Sequence, residues 1–216
     1  AGKTTRVPLA LIGALGGAQT PITPSGQIWM LEPRRLAARA AASRLAESLD
    51  EAIGHRIGYS VRGESRRSRH TQVEVMTDGL FLRRLQADPS LDGVSCVLFD
   101  EFHERRRDAD LAFTLLAEAR PILNAELAVV VMSATLDLSD LRTRLPDATV
   151  LESEGRAYPV VTIHQPPRSE EPLPRQVLRA IESHALALAP GSGVLVFLPG
   201  LKEIRRCQNL LAESAS

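Results

Sequence analysis

The segment Ser95-Cys96-Val97-Leu98-Phe99-Asp100-Glu101-Phe102-His103 decides the fold of this 216-residue chain. Its first five residues form an uncharged and mainly apolar run, which predicts a buried strand. Two carboxylates, Asp100 and Glu101, follow directly at the carboxyl end of that strand. Open α/β sheets bind ligands at the carboxyl ends of their strands, so we expect a site at this edge of a sheet. A solvated acidic loop is the alternative, and the apolar run before the acids disfavours it.

The first residues, Ala1-Gly2-Lys3-Thr4-Thr5, match the end of the phosphate-binding pattern G-x-x-x-x-G-K-[ST]. Lysine in this pattern reaches the β- and γ-phosphates, and the hydroxyl after it coordinates Mg²⁺. Backbone N–H groups at Gly2 and Lys3 would face the phosphates from a helix N-terminus. Gly-Lys-Thr also occurs by chance in unrelated chains. With the downstream acids, however, it predicts nucleotide hydrolysis.

The two segments together assign roles around a bound ATP. Asp100 would hold the Mg²⁺ ion that Thr4 coordinates, and Glu101 would orient or deprotonate the attacking water. The pattern needs a preceding strand and a first glycine, and neither stands in the sequence. We therefore expect the chain to be a piece of a longer protein, or the product of an incomplete gene model.

Composition limits the other classes of function. The hydrophobic content of 44% is enough for one full domain and part of another. The net charge is zero, so any nucleic-acid site must be a local patch. No apolar run is long enough to span a bilayer, and no secretory signal opens the chain. Cys96 and Cys207 have no metal-like spacing, and a reducing cytoplasm fits this usage.

Strand-like and helical patterns alternate along the chain, which predicts a doubly wound parallel α/β sheet with helical crossovers. A change of composition at Glu152–Pro159 predicts a hinge. Residues 1–152 would form the first domain, and 153–216 a linker with the incomplete start of a second. The predicted strands are Gln27–Leu31, Val73–Met76, Ser95–Phe99, Ala128–Met132 and Val194–Leu198; the predicted helices are Lys3–Gly16, Arg34–Leu49, Gly79–Ala87, Ala109–Leu123 and one from about Arg175.

A second polar segment, Ser133-Ala134-Thr135, follows the predicted strand Ala128–Met132. In a parallel sheet both strands end at the same edge, so His103 could form a hydrogen bond with the hydroxyl of Ser133 or Thr135. Two alternatives stay open. His103 could be an ordinary surface histidine, and Ser-Ala-Thr could be the N-cap of a following helix.

In this order and at these separations, the segments resemble the DEAH-type helicases of superfamily two. Phe102 departs from the alanine of the usual DEAH box. With Tyr59–Ser65 (YSVRGES), the form Asp-Glu-Phe-His-Glu-Arg resembles the bacterial HrpB-type helicases. Further segments resemble the family's motif Ia, its motif Ib, the linker between domains and the opening of the second domain: Glu32–Ala38, Thr77–Leu80, Gly155–Val160 and Val194–Gly200, respectively.

The resemblance implies a RecA-like P-loop NTPase domain followed by the truncated start of a second RecA-like domain. It implies an ATP-dependent RNA helicase that moves along or remodels single-stranded RNA, with single-stranded DNA as the alternative partner and with ATP and Mg²⁺ as cofactors. Arg44 would stack on the adenine, and the basic stretch with Arg62, Arg66, Arg67 and Arg69 would be solvated surface. The implied site residues are, for catalysis, Asp100, Glu101, His103, Ser133 and Thr135; for ATP, Gly2, Lys3, Thr4, Thr5 and Arg44; for Mg²⁺, Thr4 and Asp100; and for the nucleic acid, Arg34, Arg35, Thr77 and Gly79.

Two other classes of protein stay open at this point. One is an ATP-regulated RNA-binding assembly factor without processive unwinding, and the other is a degenerate fragment without activity. The family's arginine fingers would lie beyond residue 216, so we expect this chain alone to fold marginally and to hydrolyse ATP poorly. A P-loop kinase is disfavoured, because nothing in a kinase calls for Ser-Ala-Thr or Pro-Arg-Arg.

Overall fold

A computed structural model of the chain describes residues 2–15, 26–134, 138–152, 159–168, 170–185, 189 and 191–214. The chain divides between residues 155 and 156 into two compact units. The first unit contains the sheet and the candidate site. That residues 153–216 begin a second RecA-like domain stays a prediction.

The first unit is built on a six-stranded sheet in the order β3-β2-β4-β1-β5-β6. All neighbouring strands are parallel except β2 and β3, which form an antiparallel hairpin at one edge. The α/β fold class is therefore confirmed, with an antiparallel edge that the sequence did not predict. The strands are β1 (Gln27–Glu32), β2 (Ile57–Val61), β3 (Glu64–Arg66), β4 (Val73–Thr77), β5 (Val94–Phe99) and β6 (Ala128–Val131).

Helices cover both faces of this sheet, because alternate side chains of each central strand point to opposite faces. On one face, Ile28 and Met30 of β1 pack with helices α1 (Lys3–Leu11) and α2 (Arg35–Glu47). On the other face, Leu31 of β1 packs with the residues of α3 (Asp78–Ala87) and α4 (Arg107–Leu123). Strands buried on both faces read as continuous apolar runs, which is why β1, β4 and β5 were predictable.

The remaining helices are α5 (Leu138–Arg144) in the first unit, and α6 (Leu173–Ala185) and α7 (Leu201–Ser214) in the second. The predicted strand Val194–Leu198 is wrong. These residues have no regular structure and are mainly exposed, and Phe197 is 87% exposed. An apolar run becomes a strand only when another strand pairs with it, and the described part of the second unit offers none. None of the described helices has the length and apolarity that a membrane crossing requires.

The topology brings four loops to one edge of the sheet. Strands β1, β4, β5 and β6 are parallel, so the residues that follow them all lie at their shared carboxyl edge. These residues include the segment after β1, the Thr77–Gly79 segment after β4, Asp100–His103 after β5 and Ser133-Ala134 after β6. This edge is where α/β sheets bind ligands.

Candidate nucleotide and nucleic-acid sites

Helix α1 begins in a conformation that suits a phosphate. Gly2 is its N-cap and has a φ of 86°, in the left-handed region that favours glycine. A Cβ at this position would also approach Cδ of Arg6 to 3.2 Å. The first N–H groups of a helix have no partner within the helix, so this end can donate to an anion.

The structure brings Lys3 and Thr4 to the loops that follow β5 and β6. The ammonium group of Lys3 donates a hydrogen bond to the carbonyl oxygen of Ser133. The hydroxyl of Thr4 donates to Oδ2 of Asp100 at 2.6 Å. Three segments far apart in the sequence thus converge at one place, as the sequence predicted. Thr5 turns back on its own helix, with Oγ1 3.4 Å from the carbonyl oxygen of Gly2.

Asp100 is held firmly at the end of β5. It is 9% exposed, and its Oδ1 accepts the backbone N–H of Glu101 at 2.9 Å. Its own N–H donates to the carbonyl oxygen of Leu31 at 3.2 Å. The Thr4 hydroxyl and the Asp100 carboxylate are hard oxygen donors, which fit Mg²⁺ together with phosphate oxygens and water. The described residues contain no group of three or more His, Cys, Asp and Glu side chains that could hold a metal without the nucleotide.

Glu101 stands at a sharp turn. Its φ and ψ of 49° and 38° are left-handed, and a 3₁₀ turn, Phe102–Glu104, follows. The Phe102 N–H donates to the carbonyl oxygen of Met132 at 3.1 Å, which ties the turn to the segment after β6. The Phe102 ring packs against Phe99 and Phe113, with centroids 5.9 and 5.2 Å apart. A backbone bond and a buried ring therefore fix the conformation in which Glu101 is presented to solvent.

His103 links this turn to the segment after β6. Its Nδ1 lies 3.4 Å from Oε2 of Glu101 and accepts the N–H of Ala134, also at 3.4 Å. The described partner in the Ser-Ala-Thr segment is thus a backbone amide, where the sequence suggested a hydroxyl. Thr135 lies outside the described residues. The side chain of His103 is 32% exposed, so solvent reaches it.

Glu32 is a site residue that the sequence analysis missed. It ends β1, is 4% exposed and lies beside Asp100. Burial raises its pKa to about 8, and the charges of Asp100 and Glu101 add to the shift. An acid at the end of an apolar strand, as in Gln27–Glu32, was the signal that could have found it. A protonated Glu32 lets three carboxyl groups share this small region.

The predicted nucleic-acid residues lie along the same sheet edge. Arg34 and Arg35 are exposed at the start of α2. Thr77 is the extended N-cap residue of α3, and Gly79 lies in its first turn. The structure also places Arg44 on α2, where it is exposed and no described contact ties it to the Gly2–Thr5 segment.

Comparison with known families decides the class. The family model described as DEAD/DEAH box helicase matches residues 1–143. The chain belongs to this helicase family. Its Gly2–Thr5 segment, its Asp-Glu-x-His turn and its Ser133-Ala134 segment all lie at one edge of the sheet, in the arrangement described above.

Two curated proteins to which this chain is similar are named as RNA helicases. It is 42% identical over 212 residues to the ATP-dependent RNA helicase HrpB of Escherichia coli (strain K12), covering 98% of this chain and 25% of the relative. It is 34% identical over 207 residues to the ATP-dependent RNA helicase HrpA homolog of Haemophilus influenzae, covering 94% of this chain and 15% of that protein. The chain thus spans a quarter or less of the length of these relatives.

Solved structures agree with the helicase fold. A crystal structure of the Escherichia coli DEAH/RHA helicase HrpB superimposes with a TM-score of 0.85 at 41% identity, over 99% of this chain and 26% of the other. A crystal structure of the Escherichia coli DExH-box NTPase HrpB gives 0.73 at 41% identity, over 98% and 25%. The predicted resemblance to HrpB-type helicases is confirmed at the level of sequence and fold.

Proposed function

We propose that this chain carries the ATP site of an RNA helicase that couples ATP hydrolysis to movement along, or remodelling of, single-stranded RNA. The convergence of Lys3, Thr4 and Asp100 is the observation that carries the proposal. Lys3 and Thr4 begin α1 and Asp100 follows β5, so the site exists only when the sheet and α1 are folded together.

The residues of the proposed site would share the binding of phosphate and Mg²⁺. The Gly2 turn and the N-terminus of α1 present N–H donors to the phosphates, and the Lys3 ammonium neutralises phosphate charge. Thr4 and Asp100 would hold Mg²⁺, which supplies charge neutralisation across the β- and γ-phosphates. Thr5 stays a proposed contact, and Arg44 a proposed adenine partner.

Glu101 is the proposed base for the attacking water. Its carboxylate is 44% exposed and lies 3.4 Å from His103. Its backbone is fixed by the Phe102 anchor, so the carboxylate is presented from a constant position. His103 contacts the segment after β6, and the carbonyl oxygen of Ser133 in that segment accepts a hydrogen bond from the Lys3 ammonium. This segment is therefore linked both to the turn that would activate water and to the lysine that would bind phosphate.

The nucleic acid would lie along the exposed Arg34, Arg35, Thr77 and Gly79. Arginine side chains and backbone amides at helix starts contact the sugar-phosphate backbone and do not read base sequence. We propose RNA as the strand because both curated relatives are named as RNA helicases. We also propose that the chain alone hydrolyses ATP poorly, since it spans a quarter or less of the length of these relatives, and that the protein acts in the cytoplasm.

Glu101→Gln in the complete gene product tests the catalytic assignment. The amide keeps the shape of the side chain and removes the base, so ATP affinity should persist while turnover is abolished. Glu118→Gln, an exposed acid on α4, is the matched control and should turn over like the unmodified protein. Unchanged turnover in Glu101→Gln would sink the assignment.

A further inference from the structure

The segment that follows Glu101 carries two charged side chains that contact the two segments proposed to bind the nucleic acid, the start of α2 and the start of α3. Oε2 of Glu104 lies 3.6 Å from Nη2 of Arg34, at the start of α2. Nη1 of Arg106 lies 3.1 Å from Oδ2 of Asp78, between Thr77 and Gly79. The first pair is largely exposed, since the side chain of Arg34 is 76% accessible, and such pairs contribute little. The second pair, Asp78–Arg106, is much less exposed to solvent.

The Asp78–Arg106 pair is partly buried, and the Arg106 side chain as a whole is 33% exposed. The Asp78 side chain is 5% exposed, and Nη1 of Arg106 is buried. Their contact is ionic and not a well-aligned hydrogen bond, because Nη1 makes no hydrogen bond within the geometric limits. Burying either charge alone is costly, so a movement of one partner must take the other with it or expose both to water.

A second contact joins the same two helices at the same place. Gly79 lies so close to α4 that a Cβ would come within 3.1 Å of Oδ2 of Asp108. Asp108 lies in the first turn of α4, two residues after the N-cap residue Arg106. The strand-binding end of α3 is thus in close contact with the start of α4.

The path from Arg106 back to Glu101 is short and stiff. The 3₁₀ turn Phe102–Glu104 occupies its middle, and the buried Phe102 anchors that turn to the core. Arg105 is left-handed, with a φ of 47°, and Arg106 is extended. The left-handed conformation of Arg105 is sparsely populated for a residue with a side chain and persists only where the surrounding structure holds it, so this segment has few alternative states that could absorb a displacement.

We propose that Arg106 is a positioning residue that couples the strand-binding loop of α3 to the hydrolysis turn. A strand held by Thr77 and the Gly79 amide would fix Asp78, and through Arg106 it would set the position of Glu101. This inference rests on the proposed function, because it assumes that the strand and ATP bind at the places described above. Energetic coupling of this kind is carried by packed and ion-paired elements between two sites.

The test measures coupling itself in the complete gene product. The dissociation constant for oligo(U) RNA is measured without nucleotide and with a saturating non-hydrolysable ATP analogue plus Mg²⁺, and the ratio of the two constants is the coupling factor. Arg106→Gln should bring this ratio about 2- to 30-fold closer to one. Hydrolysis without RNA should keep its rate, since Arg106 contacts none of the reacting groups.

Two variants separate coupling from simple damage. Arg107→Gln removes the same charge one position along, from a side chain that is 92% exposed, and should keep the unmodified ratio. Arg106→Lys keeps the charge beside Asp78 and should restore most of the coupling. If Arg106→Gln fails to fold, Asp78→Asn/Arg106→Gln removes both charges of the pair and should show the same loss of coupling.

The outcomes distinguish the proposed helicase function from the proposed coupling role of Arg106. An unmodified protein with a ratio of one, and no RNA stimulation of hydrolysis, overturns the proposed function. A clear ratio in the unmodified protein that survives in both Arg106→Gln and the double variant overturns this inference alone. Loss in Arg106→Gln with rescue by Arg106→Lys and no effect of Arg107→Gln establishes it.

Discussion

Phe102→Ala tests whether the core holds the hydrolysis turn in place. Phe102 stands where the usual box of this family has alanine, and it is 6% exposed. Its ring packs edge-on or tilted against Phe99 and Phe113, which belong to β5 and α4. Truncation to alanine would remove both ring contacts and leave a cavity beneath the turn.

The expected cost follows from these contacts. Replacing a buried phenylalanine by alanine costs about 3–5 kcal/mol. Each aromatic pair accounts for about 0.5–1.5 kcal/mol of that value beyond burial of its area. The backbone bond from Phe102 to Met132 survives the substitution, so the loss should be local to the turn and the start of α4. It should also lower turnover, since Glu101 is the adjacent residue.

Native-state hydrogen exchange of the complete gene product is the suitable assay, because it reports the opening free energy of each segment. Amides of the turn and of the first turns of α4 should exchange about 100-fold or more faster in Phe102→Ala, since each 1.4 kcal/mol is a factor of about ten. Leu111→Ala is the control on the same helix; Leu111 is 44% exposed, and its loss should change exchange little.

One result would refute the reasoning. If the turn exchanges at the unmodified rate in Phe102→Ala while turnover is also unchanged, the buried ring does not fix the turn. The position of Glu101 would then depend on the Met132 bond and on His103 alone.

Two further results are expected. Because its pKa is raised, Glu32 keeps a proton in the native state that it releases in the unfolded chain. Without Mg²⁺, the free energy of unfolding should therefore fall by up to about 1.4 kcal/mol per pH unit as the pH rises from 4.5 to about 8. Melts of Glu32→Gln at the same pH values should not show this slope. Arg84→Met should lower the free energy of unfolding in denaturant by about 3–5 kcal/mol, because the fully buried Glu74 loses the partner that donates two hydrogen bonds to it. Arg83→Met, on the exposed face of the same helix, should cost little. A cost for Arg84→Met no larger than that for Arg83→Met would contradict the account.

The sequence predicted the parts of the fold whose residues carry the signal themselves. Strand β5 is an apolar run buried at every position, and it was predicted to within one residue. The hairpin of β2 and β3 was missed, because Gly58 and Ser60 interrupt the apolar pattern. Gly58 is there for a tertiary reason, since a Cβ would come within 2.7 Å of the carbonyl oxygen of Arg66 across the hairpin.

The candidate site also contains some features that the sequence predicted and others that it did not. Lys3, Thr4 and Asp100 were predictable as a group, because the phosphate-binding pattern at the first residues and an acid at the carboxyl end of an apolar strand together indicate a nucleotide with Mg²⁺. The raised pKa of Glu32 and the ion pair of Arg106 were not, because both depend on neighbours distant in the sequence. Burial beside Asp100 raises the pKa of Glu32, and the partner of Arg106 is Asp78 on another helix. Periodicity and motif spacing contain neither fact.

Phosphate release by the complete gene product, measured without nucleic acid, with single-stranded RNA and with single-stranded DNA, tests the central claim most directly. The account predicts strong stimulation by RNA, and loss of that stimulated rate in Lys3→Ala, because this substitution removes the ammonium group that we propose to bind the phosphates. The same rate under all three conditions would contradict it. The ATP site would then stand without a link to strand movement, and an ATP-regulated assembly factor would explain the protein better.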